Sequence, residues 1–254
     1  MGIPLVGLLD GMAARAVPAH DVSRVGGWLV RRSPNNPFRR PNSVFPLEGG
    51  SEAFERDVVA CERLYREWGL VPRFQISPAS QPVGLAELLL ARGYHEQSVT
   101  AVYVCELAEL GATPRAAGMR VSWSDRPEDK WWATRRQAVP IDRAQRVASD
   151  AMLRRIAHDV AYVRVTLDGV GVGVGMSVQE DSWFGIFYIA TTPDARRRGV
   201  GRVVVDSLMH RAKDGGARRG YVQVEAANLP ALALYRQAGY RKHVYDYRYL
   251  SDER

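Results

Sequence analysis

The chain repeats itself. Phe74-Gln75-Ile76-Ser77, then Gly84 to Tyr94, then Val99 to Val104 read as strand, short helix, Gly-aromatic stop and strand. Tyr221 to Val224, Pro230 to Tyr240 and Val244 to Tyr249 read the same way, 146 residues later at Gly93 and Gly239. In both copies the glycine stands just past a helix end, where a left-handed residue is wanted and a Cβ is a handicap. Two copies of one supersecondary block within 254 residues predict a duplicated domain, not one large domain. The stretch from Glu109 to Gly118 has small residues, Gly and Pro, and no apolar period. It reads as the linker, giving domains 1–117 and 118–254.

Composition sets the outer limits. With 46% apolar and 25% charged residues the chain is neither disordered nor fibrous. No apolar run approaches the ~18 residues of a spanning helix. Met1 to Ala14 carries Asp10 and no basic leader, so no signal peptide and no membrane are expected, and the cytoplasm is the default. Cys61 and Cys105 form no CxxC pair, and the five histidines show no metal spacing, so two reduced thiols and no metal are expected.

The second half reads in order. Met119 to Trp123 is a strand; Pro127 to Val139 and Ala144 to His158 are helices broken at Pro140. Val160 to Thr166 and the glycine-rich Gly171 to Val178 are strands around an Asp168-Gly169 hairpin turn. Trp183 to Ala190 is a third strand, Gly199 to Lys213 a helix with Val204, Leu208 and Ala212 on one face, and Arg219 to Glu225 a further strand. The first half is looser: a hairpin-like Gly27 to Val44 and a helix from Ala53 to Trp68 precede the repeated block.

The chemistry concentrates where a strand runs into Arg196-Arg197-Arg198-Gly199-Val200-Gly201-Arg202 and a helix opens. Successive main-chain N–H groups there can form an anion-binding nest at the positive end of the helix. The glycines allow close approach of a pyrophosphate, and the arginines add charge-assisted bonds. An ordinary basic helix start fits the same residues. The stretch is not a Walker A loop, since no Gly-Lys-Ser/Thr follows.

The wider order continues from that helix and strand into Asn228-X-X-Ala231-X-X-X-Tyr235-X-X-X-Gly239-Tyr240. Over residues 119–250 this resembles the GNAT (GCN5-related N-acetyltransferase) superfamily. The resemblance implies an α/β (α+β) protein of two GNAT-like domains, each a mixed, mostly antiparallel sheet flanked by helices, with the first domain degenerate. It implies acetyl-CoA, or another short acyl-CoA, as co-substrate. Arg196, Arg197, Arg198, Gly199, Val200, Gly201 and Arg202 would hold the pyrophosphate. Ile189, Ala190 and Thr191 would bond the pantetheine arm and face the acetyl carbonyl, with one main-chain N–H stabilising the oxyanion. Asn228 would touch the arm and fix the next helix, and Tyr235 would protonate the departing thiolate. Without its surroundings Tyr235 reads rather as a core aromatic on an amphipathic helix. Many family members carry a base on the third strand, but Ser182 to Tyr188 holds no carboxylate. Glu225, or a water chain to solvent, is the candidate base.

In the first half Leu89 stands at the counterpart of Tyr235, and Leu47 to Glu52 is acidic where a phosphate loop needs positive charge. That half therefore reads as a domain that shapes the acceptor pocket. Arg40 and Asn42, within the arginine-rich Arg39 to Val44, are candidates to line it, or they belong to an edge strand protected by charge. Trp132 and Tyr188 are the candidates from the second half. The expected activity is acyl transfer to a primary amine of a small molecule by direct attack, because no cysteine is placed as a relay. A tRNA-dependent aminoacyl transferase and a non-catalytic CoA-binding protein remain as alternatives. Net charge bears on this: residues 1–117 are neutral, and 196–219 alone carry +6 of the total +7. Such concentration favours a compact phosphate-rich cofactor over a long polyanion. Tandem halves can replace a dimer, so monomer and homodimer both stay open.

Overall fold

A computed structural model describes residues 3–49, 54–111 and 118–252. The chain divides into two units, Met1–Val102 with Glu225–Ala227 and Val244–Arg254, and Tyr103–Val224 with Asn228–His243. Residues 112–117 of the expected linker lie outside the described residues, and the changeover between units falls inside a strand, at Val102/Tyr103.

The N-terminal unit holds α1 (Ile3–Ala16), β1 (Asp21–Val25), β2 (Trp28–Arg32), β3 (Val44–Phe45), α2 (Phe54–Glu67), β4 (Arg73–Ile76) and α3 (Leu85–Ala91). It also takes the first part of β5 (His95–Glu106) and most of β11 (Lys242–Ser251). Its sheet runs β1-β2-β3-β4-β11-β5. Alternation along the strands gives the two faces different chemistry. Val30, Val44, Phe74 and Leu250 join Val58, Tyr65, Leu85 and Leu89 in an apolar core under α2 and α3. Their strand neighbours Arg31, Gln75 and Tyr249 are buried too, but polar: Arg31 Nη2 donates to Ser43 Oγ (2.8 Å) and Gln75 Oε1 (3.0 Å).

Three features differ from the sequence reading. The hairpin spans Asp21 to Arg32 and turns at Gly26-Gly27, rather than beginning there. Gly26 has φ +56°, and a Cβ on Gly27 would lie 2.4 Å from the Gly49 carbonyl oxygen, so both glycines serve the turn. Residues 33–43 are irregular, with a 3-10 turn at Arg40–Asn42 in place of an edge strand. The helix α1 was not anticipated. Val6, Leu9, Met12, Ala13 and Ala16 bury one side of it, while Gly7, Asp10 and Gly11 weaken its helical signal.

The C-terminal unit holds β6 (Met119–Ser124), α4 (Asp129–Ala138), α5 (Arg143–Leu153), β7 (Asp159–Leu167), β8 (Val170–Glu180), β9 (Trp183–Thr191), α6 (Val200–Asp214), β10 (Arg219–Glu225) and α7 (Leu229–Gln237). Sheet order is β5-β10-β9-β8-β7-β6. The strands β6 to β9 form an antiparallel meander, and α6 is the crossover that makes β10 parallel to β9. After Pro140 the chain restarts as a helix because Asp142 and Gln145 form a reciprocal capping box. That helix ends at Leu153, five residues before the expected end, and β7 begins at Asp159.

The repeated blocks close alike. In α3 the N–H of Tyr94 donates to Leu89 O and that of Gly93 to Leu90 O; in α7 Tyr240 donates to Tyr235 O and Gly239 to Arg236 O. Gly93 (φ +85°) and Gly239 (φ +109°) are the left-handed residues this closure needs.

Candidate functional site

The site begins with the glycines of β8. A Cβ on Gly173 would lie 2.5 Å from Val200 Cγ1, and one on Gly175 2.7 Å from both Val204 Cγ1 and Ile189 Cδ1. The strand is glycine-rich because α6 lies directly on it. Opposite Gly175 the pairing slips: Met176 faces Phe187 and Val174 faces Ala190, so Tyr188 and Ile189 share one partner. This is a β-bulge, with Tyr188 at φ +56°. On its other edge β9 pairs with β10 only from Trp183/Arg219 to Ile186/Val222. Beyond that the two strands continue without register, which frees main-chain groups of Phe187 to Thr191 for a ligand.

Thr191 leads through the 3-10 turn Pro193–Ala195 to the basic loop. Arg197 (φ +57°) and Gly199 (φ +79°) are both left-handed, and no side chain caps α6. The first backbone bond of the helix runs from Val203 N to Gly199 O. The N–H groups of Val200, Gly201 and Arg202 are thus the helix's open donors. Arg196, Arg197 and Arg198 are exposed around them. Arg202 is committed elsewhere: Nε meets Asp206 Oδ2 at 2.6 Å and Nη1 donates to Gln237 O at 2.8 Å, tying α6 to α7. A Cβ on Gly201 would come within 3.3 Å of Leu234 and 3.5 Å of Thr191 Oγ1, so the loop is drawn in against α7. Uncapped donors, left-handed turns and free cations together fit a pyrophosphate.

Asn228 caps α7, accepting from Ala231 N at 3.2 Å, and is otherwise exposed. Tyr235 is buried, edge-on to Tyr240 at 6.1 Å, and its hydroxyl makes no hydrogen bond to any described residue. Burial alone raises its pKa above the ordinary phenol value. Glu225 ends β10 with an exposed side chain; its Oε1 accepts from Arg39 Nη1 and Ser98 Oγ, each at 3.3 Å.

The acceptor-side residues are used unequally. Asn42 is spent on its own loop: Oδ1 accepts from Ser33 N, and Nδ2 donates to the Asn36 and Phe38 carbonyls. That amide is a staple of its own loop. Arg40 is half-buried and donates to the Tyr247 hydroxyl at 2.9 Å. Trp132 is 3% exposed and donates from Nε1 to Asp150 at 2.8 Å, while its edge borders a cleft between α4 and α5 with Asp129, Arg136 and Ile141. Tyr188 is half-buried, 6.0 Å from Trp131 and 5.0 Å from the guanidinium carbon of Arg135. Arg135 had no signal in the sequence, where it reads as one more solvated arginine. Among the described residues no group of three or more His, Cys, Asp or Glu could hold a metal, and no helix is long and apolar enough to cross a membrane.

The bulged strand, the parted neighbour and the uncapped helix form one arrangement. A family model described as "Probable histone acetyltransferase Rv0428c C-terminal" matches residues 7–250. The chain belongs to this family. It is a GNAT-family N-acetyltransferase. "Uncharacterized N-acetyltransferase YobR" of Bacillus subtilis (strain 168) is 24% identical over 235 residues, 91% of this chain and 93% of that protein. Among solved structures, a GCN5-related N-acetyltransferase from Kribbella flavida has TM-score 0.74 at 16% identity, covering 98% of this chain and 95% of its own. A tandem GNAT protein from the clavulanic acid biosynthesis pathway has TM-score 0.67 at 13% identity, covering 96% and 87%. The expected mixed α/β GNAT fold is therefore the fold of this acetyltransferase.

Proposed function

We propose that this acetyltransferase moves an acetyl, or another short acyl group, from acetyl-CoA to a primary amine of a small-molecule acceptor by direct attack within one complex. The observation that supports this most is the uncapped start of α6, with its left-handed residues and three exposed arginines, beside a strand whose edge is free. Acetyl-CoA supplies the thioester. The main chain of residues 196–201 binds its pyrophosphate. The main-chain N–H of Ile189 or Ala190 stabilises negative charge on the reacting carbonyl oxygen, a role worth about 3–4 kcal/mol per donor in other acyl-transfer enzymes. The Tyr235 hydroxyl, unpartnered and kept protonated by burial, gives its proton toward the leaving sulfur, whose free thiol pKa is near ~8.5. Glu225, which pairs with Arg39, accepts the proton of the attacking amine. Direct attack is favoured because Cys61 and Cys105 are both buried, with burial pushing each thiol up to about 12. The N-terminal unit, with Leu89 sealed in its core at the counterpart of Tyr235, has a structural role. Acetyl-CoA dependence places the activity in the cytoplasm.

Protein amines are the second reading, because the family description names a histone acetyltransferase. Free-thiol release from acetyl-CoA against small amines, a lysine peptide and an alanine-ended peptide separates the two. Tyr235→Phe is expected to cut kcat about 100-fold with little change in the acetyl-CoA KM. Undiminished transfer by that variant removes Tyr235 from the mechanism. Activity lost on ribonuclease treatment, without acetyl-CoA binding by calorimetry, favours a tRNA donor.

A further inference from the structure

Among the described residues, Arg135 is a buried cation with no acid to answer it. The residue is 5% exposed, and Nε and Nη1 are sealed off without a hydrogen bond. Its interaction is with the Tyr188 ring, 5.0 Å from the guanidinium carbon. Acids on α4 and α5 are engaged by other groups: Asp129 pairs with Arg146, and Asp150 pairs with Arg154 and accepts from Trp132 Nε1. A desolvated charge in this state costs stability, because ring attraction does not replace lost water. The neighbouring Tyr162 is 1% exposed with an unpartnered hydroxyl, edge-on to Trp131 at 5.5 Å, and Trp131 also packs on Tyr188. Two unsatisfied polar side chains thus share one aromatic cluster with the bulge residue. The bulge turns Tyr188 toward this cluster, while Ile189 packs its side chain over Gly175 toward α6. Tyr188 therefore links Arg135 to the strand whose main chain is assigned above to the reacting carbonyl.

We propose that Arg135 is the receptor for a carboxylate on the acyl acceptor, so that the acceptor class is an amino acid or a similarly carboxylated amine. A carboxylate accepts two parallel bonds from a guanidinium and supplies the missing negative charge inside a site that excludes water. Tyr162 offers a further donor to the same group. The assignment rests on the acetyl-transfer reading and narrows its acceptor.

The test compares amines that differ only in the carboxylate: L-phenylalanine with phenethylamine, L-lysine with cadaverine, and glycine with methylamine. In the wild type at least one pair is expected to favour the carboxylated member by 100-fold or more in kcat/KM. In Arg135→Met that ratio falls to within threefold of one, the loss lying in KM. Arg135→Lys recovers part of it, and Tyr162→Phe lowers it several-fold. A second readout needs no turnover. Arg135→Met leaves the melting temperature of the ligand-free protein equal or higher, and the preferred amino acid raises that temperature in the wild type but not in the variant. Equal rates within every pair in the wild type, while acetyl-CoA is still used, overturn the carboxylate assignment alone. A melting temperature lowered by Arg135→Met overturns its premise that the charge is uncompensated. Failure of acetyl-CoA to bind or to acetylate any amine removes the transfer reading and this proposal with it.

Discussion

The contact that most directly couples packing to cofactor binding is Gly173 against Val200. A Cβ at Gly173 would sit 2.5 Å from Val200 Cγ1 and 3.1 Å from Val204 Cγ2. Carbon atoms in contact stand about 3.5–4.0 Å apart, so Gly173→Ala needs roughly 1 Å of movement. Neither valine can yield by turning into solvent, since Val200 is 1% exposed and Val204 fully buried. The helix must shift instead. Overpacking of this kind costs about 1–3 kcal/mol, less about 0.4–1 kcal/mol because alanine restrains the unfolded chain. At about 2–4 °C per kcal/mol for a chain of this size, the melting temperature falls by several degrees.

The functional effect is larger than the stability effect. Val200 is the first residue of α6 and follows Gly199, so the same 1 Å moves the donors proposed to bind the pyrophosphate. Misplacement on that scale can cost about 100-fold. Calorimetry with acetyl-CoA is expected to show affinity reduced by 10-fold or more for Gly173→Ala. Val200→Ala removes the offending methyl groups, so the double variant should regain most of the affinity, with a coupling energy of about 1–2 kcal/mol in a double-mutant cycle. Wild-type affinity in Gly173→Ala, or no recovery in the double variant, would show that α6 is not set by this contact.

Other perturbations have equally defined outcomes. Burial raises the Asp10 carboxyl above its ordinary 3.8, against the Tyr245 and Ser77 hydroxyls and the Arg40 and Arg31 charges that lower it. The folded protein therefore binds that proton more readily than the unfolded chain, and the Asp10 contribution is lost as pH rises above 3.8. Asp10→Asn, which can still accept from Tyr245, should gain on the wild type between pH 4 and pH 8 in urea titrations; a margin moving the other way means that the arginines outweigh burial. Glu62 has a side chain 5% exposed and accepts from Arg92, Arg66 and Tyr94. Glu62→Ala should lose about 3 kcal/mol in urea unfolding, the lower end for a broken buried pair because both arginines keep some solvent. Burial of Tyr235 predicts no alkaline fall in kcat below pH 10 from its ionisation, and a pH–rate profile with such a limb that vanishes in Tyr235→Phe contradicts that.

What could be read from the sequence is what leaves a mark in residue type. The α6 loop requires left-handed backbone and close approach, and glycines at 199 and 201 record both needs. The closure after α3 and α7 records itself in Gly93 and Gly239 for the same reason. The bulge at Tyr188 leaves no such mark, because it is made by a slip in pairing against Gly175 and a tyrosine holds the positive φ. Polar side chains were read least well. Asn42 looked available and is consumed by three backbone groups of its own loop. Arg135 carries no mark in the sequence that tells an enclosed arginine from a solvated one. The cause is the same for both: sequence shows which donors and acceptors exist, but only the fold shows which of them find each other.

The internal repeat carries a further lesson about the two halves. Leu89 and Tyr235 occupy the same place in the same closing turn, and each gives its carbonyl oxygen to the tyrosine after the glycine. One side chain completes an apolar core, the other ends in an unpartnered hydroxyl. Retained backbone bonds and exchanged side chains show that this turn makes no demand for tyrosine on structural grounds. The hydroxyl at 235 therefore needs a reason outside packing. The leaving thiolate of the proposed reaction would supply one, because a phenol kept neutral by burial can donate a proton.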